Sequence, residues 1–434
     1  MKRIVLFFFA LATCMYTFAQ GHDTMAGEHC HGQFYEPRRP IVLTNDTWYT
    51  PHILTDKNPS AEELMHECRH LTLELDAAGF FYDVEYQLPM AKGFTVTGFR
   101  LTPTLAYGIN ERAQLRVGMD ATMFAGLDSL YRFRPTFSLL YMPAPWMQIV
   151  AGTLIGSQHH LIGNAVYDPS RWIYNYREDG LQITTATNIW ESDTWLDWNH
   201  YLWPWTADQE RFTMGTRHQF DILKFSKESY GEHVTFEEKY SQLGLVSIPF
   251  HFIACHRGGE VKTIDTNTVT TFNESVALRF DYIFSNTDKS NSNHIRLDFP
   301  ILFYHLEDKS LDNSGRSFHP TIGYEFAHID RDEGKGISIK AIAGYWYGEH
   351  YFSTMGNPTF WSINNYSALH MATGANQTSG ADIRKMLTLN IALEHEFKGL
   401  NLGLNVLAYH DIILGKNNFI FAFYMRYRGK FLIF

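Results

Sequence analysis

From about Phe80 to the C-terminus, apolar and polar residues alternate with a period of two in run after run, which restricts the chain to strands with two unlike faces. Ala113, Leu115, Val117, Met119, Ala121 and Met123 alternate with Gln114, Arg116, Gly118, Asp120 and Thr122. The pattern returns in Phe133–Tyr141, Val276–Phe284, Ile295–Phe303, Leu387–Leu393 and Leu400–Val406. A strand with lipid on one side and water on the other needs this alternation, so the expected fold is all-β, a transmembrane antiparallel up-and-down β-barrel of about 14 to 16 strands, the number being even. Two soluble β-sandwiches would alternate as well. Against them stand the charged residues scattered along the polar faces and the aromatic residues near turns, Tyr107, Phe124, Tyr141, Trp146, Trp190, Trp195, Trp346, Tyr409 and Tyr427, placed as interfacial girdles.

The first residues fit export. Lys2 and Arg3 precede the apolar run Ile4–Ala12, and Thr17-Phe18-Ala19 supplies a cleavage site, so residues 1–19 read as a signal peptide. A rival reading takes Leu11-Ala12-Thr13-Cys14 as a lipoprotein site. No other segment supplies the roughly 18 to 20 continuous apolar residues of a spanning helix. Past the signal remain Cys30, Cys68 and Cys255, an odd set that cannot form a closed disulfide framework. Residues 20–79 lack sustained alternation and read as a periplasmic extension or plug; a run from Ser60-Ala61-Glu62-Glu63 through Leu75 begins at helical spacing and finishes in alternation at Leu71, Leu73 and Leu75, so only a short helix is expected in it. The barrel is expected over 80–434. Its short connections (Gly108–Glu111, Pro143–Pro145, Thr287–Asn291, Lys398-Gly399) suit periplasmic turns, and its long ones (Ser157–Asp179, Ser226–Gln242, Gly258–Thr271, Glu307–Phe318, Gly348–Ile383) suit outer loops.

Composition agrees: 15% aromatic, 19% charged, and a net charge of -10 that argues against a nucleic-acid partner. The expected site is the bacterial outer membrane, with membrane lipid as partner and a homo-oligomer or an outer-membrane protein complex as further possibilities.

Leu101-Thr102-Pro103-Thr104-Leu105, His159-His160-Leu161-Ile162, Tyr167-Asp168-Pro169, Glu178-Asp179-Gly180-Leu181-Gln182, Trp195-Leu196-Asp197-Trp198, His256-Arg257-Gly258-Gly259 and Tyr345-Trp346 resemble a family of uncharacterised outer-membrane, porin-like barrels of Bacteroidota. The resemblance implies a fold and a location, and carries no activity. The terminal Phe434 is similar to the aromatic end that marks barrels for assembly, although Gly429 and Lys430 interrupt the alternation before it.

The expected inward charges are Arg116, Asp120, Arg279, Asp281, Arg296, Asp298, Lys340, Glu394, Arg426 and Arg428. Such side chains line a selective pore or, paired with one another, close it. Near the N-terminus, His22, Met25, Glu28, His29, Cys30 and His31 offer copper, nickel or zinc ligands. Gln20 would cyclise and remove the terminal amine, and a solvated tail is the plainer reading, so no metal and no cofactor are expected. His159 and His160 suit metal binding, pH sensing or plain surface polarity. Trp190, Trp195, Trp198, Tyr201, Trp203 and Trp205 suit a sugar-stacking platform or an interfacial belt.

Catalytic residue types occur in Tyr409-His410-Asp411 and in Asp197 with His200, but no nucleophile elbow or zinc-protease motif is present. The residues alone therefore point to a non-enzymatic barrel: a porin-like channel for small polar solutes, or else a non-conducting subunit of a protein assembly or secretion complex. An outer-membrane hydrolase is the minor alternative.

Overall fold

The computed structural model describes residues 70–433, apart from connections at 88–92, 157–159, 175–176, 202–208, 229–239, 259–268, 286–290, 309–310, 331–334, 364–381 and 398–399 and single positions 111, 145, 169 and 188. The signal peptide, Cys14, Cys30, Cys68, the N-terminal histidine and cysteine cluster and His159 lie outside the described residues.

The described chain is almost entirely strand. In order come β1 (Leu71–Tyr86), β2 (Phe94–Asn110), β3 (Ala113–Phe124), β4 (Arg132–Ala144), β5 (Met147–Thr153), β6 (Asp179–Ala186), β7 (Trp190–His200), β8 (Glu210–Glu228) and β9 (Tyr240–Gly258). Then follow β10 (Val269–Ser285), β11 (Asn291–Asp308), β12 (Leu311–Phe318), β13 (Thr321–Asp330), β14 (Lys335–Glu349), β15 (Ile383–Phe397), β16 (Leu400–Asp411) and β17 (Lys416–Leu432). Neighbours in sequence pair antiparallel, and β1 pairs with both β2 and β17, closing the sheet. β12 and β13 together form one stave, since both pair with β11 on one side and β14 on the other. They are parted at His319-Pro320, where the proline has no N–H to give to the ladder. The barrel thus has 16 staves.

Burial is inverted relative to a soluble protein. The outer wall carries exposed apolar side chains such as Val117, Phe137, Leu278, Ile301, Leu389 and Phe423, while inward positions on the same strands hold buried polar ones. The alternating runs read from the sequence are these outward faces.

Three expectations change. The barrel starts at Leu71, upstream of Phe80, so that Leu71–Leu75, the alternating end of the run that opens at Ser60, belongs to its first strand. The inward face of β1 is itself apolar at Phe80, Tyr82 and Val84 while Asp83 and Glu85 face outward, so the alternation inverts along the strand. Glu307–Phe318 is mostly β11 and β12 instead of a long loop, and Ser226–Gln242 joins β8 to β9 at the end that also holds the short turns and both strand termini.

At the opposite end, two long connections fold into the lumen. The first is 154–178, with one helical turn at Arg171–Tyr174; the second begins after β14 and is described through Ile363, with a 3-10 turn at Pro358–Phe360. Each carries a non-glycine residue held at positive φ, Leu161 (51°) within the first and His350 (50°) at the start of the second, a conformation that costs about 1 to 3 kcal/mol and persists only where surrounding contacts fix it. The buried apolar core lies inside the barrel around these segments and includes Phe80, Trp172, Trp195, Trp346, Tyr351 and Phe360.

Candidate functional site

The first inward segment is held by charge. His160 is fully buried, with Nδ1 2.8 Å from Asp193 and Nε2 2.7 Å from Glu178, and its ring stacks on Trp195 with centroids 3.5 Å apart. Trp195 lies flat because its partner across the ladder is Gly215, where a Cβ would fall 2.2 Å from the indole. Tyr167 donates to the other oxygen of Glu178, and Gln182 Nε2 donates to Asp193 at 2.9 Å. Burial alone would favour a neutral imidazole, but the two carboxylates outweigh it and hold the His160 pKa at about 9. Both ring nitrogens are committed, so His160 is an anchor and has no lone pair to offer as a base. Farther along the segment, Arg100 donates to Ile173 O at 3.1 Å and covers the Trp172 ring, while Arg177 lies 3.5 Å from Asp120.

The second inward segment is held by rings and carbonyl groups. Phe360 packs against Trp346 and Tyr409, and Phe352 against Trp361 and Tyr304. Arg384 on β15 is fully buried. Its guanidinium bonds Asp411 at 2.7 Å, Trp361 O at 2.7 Å, and Thr359 O. Asn273 Nδ2 donates to Phe352 O at 2.7 Å, tying the segment to β10.

The two segments meet across the lumen. Ser353 Oγ donates to Val166 O (2.8 Å), Tyr351 Oη to Ala165 O (3.1 Å), Asn357 N to Asn164 O (2.8 Å) and Asp168 N to Met355 O (2.7 Å). Gly356 permits this approach, since a Cβ there would lie 2.1 Å from Ala165 O. Between Gly163–Val166 and the wall of β9 to β14 a cavity of about 40 Å³ remains, bordered by His251, Ser275, Arg279, Arg296, Asp298 and His319. That is room for one or a few water molecules.

Residues 62–434 match the family described as Lipid A 3'-O-deacylase-type. The chain belongs to that family. The expectation of a non-enzymatic barrel is thereby overturned, because a deacylase-type family is a family of enzymes. No curated protein matches this deacylase-type chain. Among solved structures it is similar to a loop-deletion mutant of OmpT, an outer-membrane protein of Vibrio cholerae (10% identity, 83% of this chain and 99% of that one, TM-score 0.43). It is also similar to an anion-selective porin from Comamonas acidovorans (9%, 83% and 98%, 0.42) and to OprD from Pseudomonas aeruginosa (9%, 84% and 95%, 0.36).

In the deacylase-type barrel nine of the ten charges named from the sequence have an oppositely charged side chain within 4 Å. Arg279 meets Asp298 at 2.6 Å, Arg296 meets Asp281 at 2.6 Å, and Lys340 lies 3.7 Å from Glu325. Arg116 pairs with Glu74, Arg426 with Asp76, Arg428 lies 3.6 Å from Asp76, Asp120 lies 3.6 Å from Arg100, and Glu394 accepts from Tyr424 at 3.1 Å.

The other sequence candidates divide. His160 is the opposite of a surface polar residue. Trp195, Trp346, Tyr409 and Tyr427 are buried inside the barrel and do not belong to the lipid-facing girdle, whereas Tyr107, Tyr141, Trp146 and Trp198 are exposed. Trp203 and Trp205 lie outside the described residues. In Tyr409-His410-Asp411 the strand alternation separates the pair: His410 is exposed and bonds Asn417, while Asp411 faces in and bonds Arg384. Asp197 accepts from Asp179 N at 3.0 Å inside the barrel, while His200 is exposed at its rim. Among the described residues no group of three or more metal-binding side chains occurs. His251 and Ser275 were missed: each sits singly in its strand, and only the pairing of β9 with β10 brings them together.

Proposed function

We propose that this protein is an outer-membrane esterase that removes the acyl chain bound through the 3' oxygen of lipid A. Membership of the deacylase-type family is the observation that carries this reading. The lumen is consistent with it: two inward segments and an apolar core fill the space that a general diffusion channel would leave to water. With 16 staves both strand termini share one end, taken here as periplasmic, so the end bearing the two inward connections meets the outer leaflet where lipid A resides.

The test is to incubate the purified, folded protein with vesicles containing lipopolysaccharide and to weigh the lipid A by mass spectrometry. Loss of one 3'-linked acyl chain, with the matching free fatty acid, is the expected result. Unchanged lipid A with well-folded protein defeats the proposal. A porin-like channel is the second reading, favoured by the polar inner wall. Its measurement is planar-bilayer conductance, where steady current from single insertions would promote it.

A further inference from the structure

Ser275 and His251 stand directly opposite each other on β10 and β9, both pointing inward. Cross-strand partners of this kind have Cβ atoms about 5 Å apart, within reach of a hydroxyl–imidazole contact after a side-chain rotation. Both are deeply buried, at 4% and 6% exposure, and both border the 40 Å³ cavity. Neither side chain has a hydrogen-bond partner among the described residues, in a lumen where nearly every other inward charge is paired. A buried hydroxyl and imidazole without protein partners cost roughly 1 to 3 kcal/mol each unless something in the adjoining cavity bonds them, so both are oriented toward whatever the cavity admits. Arg279, two pleat repeats farther along the same inward face of β10, brings a guanidinium to the wall of the same space.

We propose that Ser275 is the nucleophile and His251 the general base of ester hydrolysis in this cavity; the proposal rests on the esterase reading given above. The Ser275 hydroxyl adds to the ester carbonyl carbon while His251 takes its proton, and the negative charge gathering on the carbonyl oxygen faces the Arg279 side of the cavity. The ester C–O bond then breaks, and the imidazolium returns the proton to the departing sugar oxygen, leaving the acyl group on Ser275. A water molecule, deprotonated by His251, attacks the acyl-serine; the bond to Ser275 Oγ breaks, the proton returns to that oxygen, and the fatty acid leaves.

The cover of the cavity is Gly163–Val166, held by its bonds to Tyr351, Ser353 and Asn357. As it stands the space admits water and not an ester, so the first inward segment withdraws for substrate to enter from the end at which both segments begin.

The experiment uses the full-length protein in lipopolysaccharide vesicles, treated in parallel with a fluorophosphonate, a reagent that phosphonylates an activated serine irrespective of lipid. Expected are a mass shift on the peptide containing Ser275, its loss in His251→Gln, and a fall of roughly 1000-fold or more in fatty-acid release for Ser275→Ala and His251→Gln. Release by Ser275→Ala within a few-fold of wild type, a label on another serine, or no label at all overturns the assignment. If wild-type protein releases no fatty acid yet is labelled at Ser275 in a His251-dependent way, the pair stands and the lipid A reading falls. The label on Ser275 of wild-type protein needs no variant, and its loss in His251→Gln counts only for protein that keeps the heat-modifiable gel mobility of the folded barrel, so a Ser275→Ala chain that fails to fold leaves the result readable.

Discussion

The two segments that fold into the barrel do the same job by different physics. The first, 154–178, is fixed by a buried ionic group in which one imidazole serves two carboxylates from Glu178 and Asp193. The second, ending at Ile363, is fixed by aromatic packing and by one guanidinium that caps backbone carbonyl groups. Charge fixes orientation at the cost of depending on protonation, whereas rings and carbonyls are indifferent to pH. The cavity cover belongs to the first, titratable segment.

The largest effect is expected from Arg384→Met, which leaves Asp411 buried without its cation and strips two carbonyls of their donor. A loss of about 3 to 5 kcal/mol is expected, read as a lower urea midpoint in detergent, with proteolysis appearing first in the second segment. Raising the pH tests the other anchor. The folded-state pKa of His160, about 9, lies above the unfolded value near 6.5, so its contribution is complete below pH 6.5 and is lost as pH rises through 9. That contribution is up to roughly 3 kcal/mol, and its loss should expose the first segment to protease while sparing the second, with fluorophosphonate labelling accelerating over the same window. Equal loosening of both segments would erase the contrast drawn between them.

Gly356→Ala acts on the contact between the segments. The new methyl meets the Ala165 carbonyl, and a cost of about 1 to 3 kcal/mol with faster labelling of the cavity is expected. His410→Ala should do least. The side chain faces outward and bonds only Asn417, so stability should shift by less than about 0.5 kcal/mol and fatty-acid release should not change.

Much of the barrel was legible because lipid imposes one rule on every outward position. Val117, Phe137, Leu278, Ile301 and Leu389 obey it, and their strands were readable without knowledge of their neighbours. The start of β1 escaped notice because its alternation is short: Leu71, Leu73 and Leu75 face outward, but from Phe80 the inward residues Phe80, Tyr82 and Val84 are the apolar ones and Asp83 and Glu85 face outward, so the pattern inverts within one strand. The lumen was not legible, since its contacts join residues far apart in sequence. His160 looks like loop polarity until Asp193 and Glu178 are placed around it, and Trp195 looks like a girdle residue until Gly215 gives it a bed inside the wall. The cross-strand pair Ser275 and His251 carries no local motif, so no spacing rule would have found it.

The seam between β1 and β17 has a consequence for how the molecule comes into being. Asp76 and Arg426, which pair across it, are 350 residues apart. Contacts so distant make for slow folding, because the chain pays for closing a long loop before the last ladder repays it. Until β17 arrives, β1 presents an open edge able to pair with the wrong strand or another chain. A protein built this way needs an escort during synthesis and transit, and a premature stop anywhere before the final strand leaves an edge instead of a shortened barrel.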